Sequence, residues 1–250
     1  MRAADRVARQ PQETNSREVQ VSKQTQKELK VNKYPWSRTS ALVKALSVSA
    51  LMLSIQGAGA GTITGSAHDF SGAAWSGGQI CVACHAPHNT STAVTAAPLW
   101  NHALSAATYV LYGTSTMQSV PGQPAGVSKL CLSCHDGTVA VNSFGGTTGT
   151  TFIGTGPENL GTNLSNDHPI GITYDAALVT ADGALNATTT AVTIGSGTKT
   201  RVGTIASNLL YASKLECASC HDVHNTFTAA TKLLKVTSAG SALCTTCHSK

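Results

Sequence analysis

The sequence predicts a mostly irregular fold, with few short helices and strands, arranged around something other than a protein core. Three observations predict it. Ten Phe, Trp and Tyr remain after residue 60, a thin supply of large core groups for about 190 residues. All eight cysteines fall into four motifs of one design, each joined to a histidine. The stretch between the second and third motifs is rich in Thr, Gly, Ala and Asn and poor in charge.

The first element is a leader. Residues 1–60 carry ten Lys/Arg and four Asp/Glu, while residues 61–250 carry seven and eight. The formal charge of +5 therefore comes from the first sixty residues, and the rest offers no basic stripe for nucleic acid. Ala45 to Ile55 is a short apolar run preceded by Lys33, Arg38 and Lys44 and followed by Ala58-Gly59-Ala60. Charged region, apolar region and small-residue site together read as a secretory signal peptide. The run is too short to span a bilayer, so no membrane anchor is expected. Cleavage leaves Gly61 first. The polar stretch 1–30 is longer than a signal peptide needs, and a translation start at Leu29 or Val31 gives an ordinary length. Residues 1–60 are thus an extension and signal peptide, and residues 61–250 the working domain.

The motifs are Cys81-Val82-Ala83-Cys84-His85, Cys131-Leu132-Ser133-Cys134-His135, Cys217-Ala218-Ser219-Cys220-His221 and Cys244-Thr245-Thr246-Cys247-His248. C-x-x-C-H is the attachment signature of c-type haem. Two thiols add across two vinyl groups on one edge of the porphyrin, and the adjacent histidine lies under the iron as an axial ligand. Four disulfides would suit a secreted chain, but need no histidine after each second cysteine. Zinc ribbons use C-x-x-C pairs, but place no such histidine four times over. Four c-type haems are expected, and their macrocycles replace the missing aromatics.

Each iron needs a second axial ligand. Met117 is the one methionine after the leader, so Met ligation serves one haem at most. Five other histidines remain: His68, His88, His102, His168 and His224. His88 and His224 each lie three residues after a motif histidine, in the same frame ending Asn-Thr. If a helical turn follows the motif, the two rings share a face. Such a ring cannot cross its own porphyrin, so it is expected to bind the iron of a neighbouring haem. His168 stands in Asn166-Asp167-His168-Pro169, where Asp167 could orient the ring. His68 precedes Asp69, a similar acid. His102 has none beside it and ranks last, as a spare or inter-subunit ligand.

The motifs repeat. C-x-x-C-H-x-x-H-N-T … L-C-x-x-C-H runs from Cys81 to His135 and again from Cys217 to His248, two di-haem units (81–135 and 217–248) flanking an insert at 138–213. Within the insert, Ala191-Val192-Thr193-Ile194 followed by Gly195-Ser196-Gly197 suggests a hairpin; a low-complexity linker is the competing reading. Asn186 to Thr190 reads as surface loop. Helices are expected at Ala103 to Tyr112 and in turns after each haem motif.

Three longer strings carry a resemblance: Gly126 to Thr138 around the second motif, Cys84 to Asn89, and Pro98-Leu99-Trp100-Asn101-His102. They resemble the doubled-CXXCH multihaem c-type cytochromes. Within these, the chain is similar to the tetrahaem extracellular, filament-forming (OmcE-like) cytochromes of metal-reducing bacteria, over nearly all of residues 65–250. The resemblance implies bis-His haems stacked in a continuous chain of four. It also implies filaments in which a histidine of one subunit ligates a haem of the next, a role for the fifth histidine.

The function expected is electron transport and not catalysis. Iron between two histidines has no open position for substrate, so outer-sphere transfer remains. Axial ligands and surroundings spread haem potentials over about 0.8 V, and bis-His pairs sit low because no Met raises them. Partners are then redox proteins or extracellular acceptors, with a homo-oligomer or filament as the assembly, in the extracellular space or, alternatively, the periplasm. The rival is a multihaem reductase of the nitrite or hydroxylamine type, which needs one five-coordinate haem.

Overall fold

The computed structural model describes residues 62–88, 90–92, 95, 97–228 and 231–249. The chain divides into two units, Met1–Gln56 and Gly57–Lys250, and all described residues lie in the second. The expected extension, signal peptide and cleavage site lie outside them, as does Asn89.

Regular structure is short. The helices are α1 (Gly126–His135), α2 (Ala176–Asp182), α3 (Ile205–Leu209), α4 (Cys217–Cys220) and α5 (Ala242–Cys247). The strands are β1 (Val110–Leu111), β2 (Asn163–Leu164), β3 (Ala191–Ser196) and β4 (Lys199–Thr204). β1 pairs with β2 in parallel. β3 and β4 form an antiparallel hairpin with Ala191 opposite Thr204 and Ser196 opposite Lys199. Gly195 sits in it at φ +87, where a Cβ would meet the Lys199 carbonyl oxygen at 2.0 Å; only glycine fits there.

Two expectations about helices do not hold. Ala103 to Tyr112 is extended and ends in β1, because its groups are used sideways: Gln123 accepts from the Tyr109 amide and donates to the Tyr109 carbonyl, each at 2.9 Å. And helix lies on three of the haem motifs, not after them. α4 and α5 stop at the second cysteine, and His221 (φ −108, ψ 144) and His248 (φ −102, ψ 135) are already extended.

The insert is not a linker. It forms the hairpin, α2 and α3, each end of which is tied. Asp175 caps α2 through the Leu178 amide (2.9 Å), and Gly183 ends it at φ 68. Ile194 and Ile205 are fully buried at 0 % exposure. Apolar burial occurs in three small clusters instead of one core. Ile172, Tyr174, Leu178, Ile205 and Leu215 form the largest, against which Cys247 packs. Trp100, Leu130 and Ala97 form the second, beside Cys84. Tyr109, Leu132 and Leu164 form the third. Each cluster thus sits against a haem-attachment motif.

Candidate haem sites

The second and third motifs are held together by a buried carboxylate. Glu216 lies one residue before the third motif, yet its carboxylate accepts from the Ser128 amide (3.1 Å) and hydroxyl at the start of α1. The Cys217 amide donates to Ser128 Oγ at 3.0 Å. Carboxylate at a helix N-terminus is electrostatically favoured, and here it joins helices 88 residues apart in sequence. The result places the Cys131 and Cys217 thiols against each other. A hydrogen bond shared with Cys217, then burial, push the Cys131 thiol up. Cys134 is pushed up to about 12 by burial and then by the proximity of Cys84. Burial likewise raises Cys84 and Cys247, each to about 11. The hydrogen bond shared with Cys131, its largest cause, lowers the Cys217 thiol. All eight cysteines are free of disulfides. Among the described residues no three His, Cys, Asp or Glu converge to hold a metal unaided. Converging pairs, completed by a porphyrin, are a different donor set.

Three motif histidines are clipped in one way. His85 Nδ1 donates to the Pro98 carbonyl (3.2 Å), His135 Nδ1 to Glu158 (2.7 Å) and His221 Nδ1 to Lys232 (2.8 Å). The backbone of each also bonds or bridges the residue two places further on: Trp100, Leu160 and Leu234 respectively. Leu99 (φ 61) and Leu233 (φ 57) occupy the middle position in left-handed conformation, an uncommon state for leucine held by their carbonyls accepting from the Ala86 and Asp222 amides. With Nδ1 committed as donor, Nε2 is the free ligating nitrogen. His168 Nδ1 donates similarly to the Pro169 carbonyl at 3.0 Å.

The ring pairs decide whether the residues fit an iron. A ring nitrogen lies about 1.1 Å from its centroid and binds metal at about 2.0–2.1 Å, so two imidazoles on opposite sides of one metal have centroids about 6.3 Å apart. His85 and His224 are 6.1 Å apart and nearly parallel at 22°. His68 and His135 are 6.0 Å apart at 71°. His168 and His248 are 6.3 Å apart at 69°. Each pair joins a motif histidine to one from elsewhere in the chain, and the span fits. His68 also carries a buried Nδ1 without a hydrogen-bond partner. Burial first, then His135, His221 and His224, lower its pKa, which favours the neutral ring that a metal binds.

His88 is exposed. His102 is different again: 3 % exposed, with Nδ1 at 2.7 Å from the Ala103 carbonyl and Nε2 at 3.1 Å from the Ala140 carbonyl. The acids expected to orient ligands do other work. Asp69 accepts from Gly65 and Ser71 and caps the turn at Phe70–Gly72. Asp167 is replaced at His168 by the Pro169 carbonyl. The structured acid is Asp136, directly after His135. It is buried and accepts from Ser105 Oγ (2.5 Å), Tyr109 Oη (2.6 Å) and the Thr138 amide and hydroxyl (both 2.8 Å). Burial would raise its pKa, but these hydrogen bonds outweigh it and hold the carboxyl low.

Sequence reading missed Asp136, Glu216 and the carbonyl clips. Alignment of the two units could have found the last, since Pro98-Leu99-Trp100 and Lys232-Leu233-Leu234 follow equivalent motifs.

Residues 211–250, which hold the third and fourth motifs, match the family model of the doubled CXXCH motif. The match supports a multihaem c-type cytochrome as the class of protein, with haem bound covalently through the CXXCH cysteines and electron transfer as its general role. No curated protein matches the chain.

Proposed function

We propose that this chain is an exported tetrahaem electron carrier in which each iron sits between two histidines. The observation that carries the reading is the set of three ring pairs, His85–His224, His135–His68 and His248–His168, at the span of two imidazoles on one metal. His88 completes the set opposite His221, by the same exchange that brings His224 to His85. His102, with both nitrogens occupied by carbonyls, is a structural residue. The porphyrins supply one-electron iron chemistry when bound. The chain anchors them by thiols, fixes ring tautomers through carbonyls and leaves no ligand position for substrate, so the protein is a carrier and not an enzyme.

In line with its resemblance, the carrier acts outside the cell, between redox partner proteins and extracellular acceptors, and assembles with further copies of itself into a filament. Intact mass of the native protein tests the core of the reading. We expect the polypeptide from Gly61 plus four haems; a mass lacking any haem, or a chain starting near Met1, contradicts it.

A further inference from the structure

The loops that follow the first motif of each di-haem unit use equivalent backbone bonds. The Asn101 amide donates to the Cys84 carbonyl (2.9 Å), and the Lys235 amide donates to the Cys220 carbonyl (2.8 Å). The same backbone position thus carries a neutral amide in one unit and an ammonium in the other. Asn101 uses its side chain locally, donating to the Val82 carbonyl at 2.8 Å. Lys235 is 5 % exposed. Its Nζ donates to the Asn208 carbonyl (3.3 Å) near the end of α3 and to Tyr211 Oη (2.9 Å), and lies 5.1 Å from the Tyr211 ring centroid. Among the described residues no carboxylate pairs with it. A buried lysine without a counter-charge is rare and costly, so its position calls for a reason. The insert supplies the walls: the Gly195 amide of β3 donates to the Lys235 carbonyl at 2.8 Å.

Other charges near the second and third motifs largely balance. Glu216 stands next to Cys217 and acts on that thiol. An aspartate follows the histidine of both of these motifs, Asp136 after His135 and Asp222 after His221. Lys129 on α1 is only half-buried, where water screens it. Lys214 and Lys232, also near the third motif, are exposed, which leaves Lys235 as the buried cation there. Its backbone is fixed to the motif, the Lys235 amide donating to the Cys220 carbonyl at 2.8 Å. Reduction lowers the charge of a haem by one, so a fixed cation beside it stabilises the reduced form.

We propose that Lys235 raises the reduction potential of the haem on Cys217 and Cys220 above that of the haem on Cys131 and Cys134, giving the electron path an internal direction. This rests on the four-haem reading. With haems bound, His135 and His221 would hold the donor and acceptor irons, and the step would be the passage of one electron from ferrous to ferric iron with no proton moved and no bond formed.

The test is a redox titration of the native four-haem protein followed by NMR, with haem methyl signals assigned through contacts to their own cysteines. In the unaltered protein the Cys217–Cys220 haem should reduce first of the two; the reverse order overturns the proposal. Lys235→Gln should lower the ferrous-to-ferric ratio of that haem about tenfold at fixed potential, the effect of a unit charge about 10 Å away at an effective dielectric of about 20, or about 59 mV for one electron. Lys235→Arg should leave it in place. An unmoved haem in Lys235→Gln, or an equal shift of all four, overturns the proposal. If Lys235→Gln fails to fold, the order in the unaltered protein decides. Failure of the four-haem reading would show separately, as missing haem mass before any variant is made.

Discussion

At the scale of single residues the histidines matter most, and ring hydrogen bonds distinguish those that have them. A ring whose Nδ1 is held by a carbonyl presents Nε2 to a metal; a ring with carbonyls at both nitrogens presents nothing. This separates His168 from His102, which sequence alone could only rank. The pairing of His224 with His85 makes a directional forecast. His224→Ala should open a coordination position on the haem of Cys81 and Cys84, seen as a new high-spin ferric signal, and leave the haem of its own motif six-coordinate. Opening of the Cys217–Cys220 haem would reverse the assignment. Tyr109 gives a second forecast. Burial, then its hydrogen bond to Asp136, push its phenol up to about 12 from 10.0. A group raised in the folded state contributes stability that is complete below the unfolded pKa and lost as pH rises through the folded one. Tyr109→Phe should therefore cost about 1.5–3 kcal/mol near neutral pH, the range for a bond to a charged acceptor. The deficit relative to the parent should shrink between pH 10 and about 12 in denaturant titrations; a deficit unchanged across that window contradicts the role given to the phenol.

Among elements, the legible and illegible parts of the sequence divide by range of interaction. The β3–β4 hairpin was legible because alternation and Gly195-Ser196-Gly197 are local signals. The extended path of Ala103 to Tyr112 was not, because apolar residues at mixed spacing fit helix or strand, and the deciding partner, Gln123, lies 14 residues from Tyr109. Glu216 was illegible for the same reason at greater distance. The insert's composition concealed its role: it is poor in charge, yet Ile194 and Ile205 are among the most buried residues. Ile205→Ala should destabilise the protein by about 2–5 kcal/mol, as for other fully buried large-to-small changes, measured by thermal or denaturant unfolding. A loss under about 0.5 kcal/mol, typical of surface positions, would restore the linker reading.

For the whole molecule, the scarcity of aromatic residues after residue 60 has a structural counterpart. Few aromatics yield three small apolar clusters, each against a haem-attachment motif. Such clusters cannot offset the conformational entropy of the described chain without further support. Covalent and coordinate bonds to four macrocycles would supply it, and ligation is coupled to folding. Chain made without haem attachment should therefore lack a cooperative unfolding transition by circular dichroism, whereas the haem-loaded protein shows one.

The most direct measurement of the central claim is the electron paramagnetic resonance spectrum of the fully oxidised, unaltered protein. Every iron held between two histidines is low-spin. Near-parallel imidazole planes split the iron d orbitals and give a rhombic signal, whereas near-perpendicular planes leave them almost degenerate and give a strongly axial signal at large g. The account predicts four low-spin equivalents and no high-spin signal. The rhombic part comes from the His85–His224 iron, with rings 22° apart, and large-g signals come from the His68–His135 and His168–His248 irons, at 71° and 69°. A high-spin ferric signal integrating to one haem would contradict it.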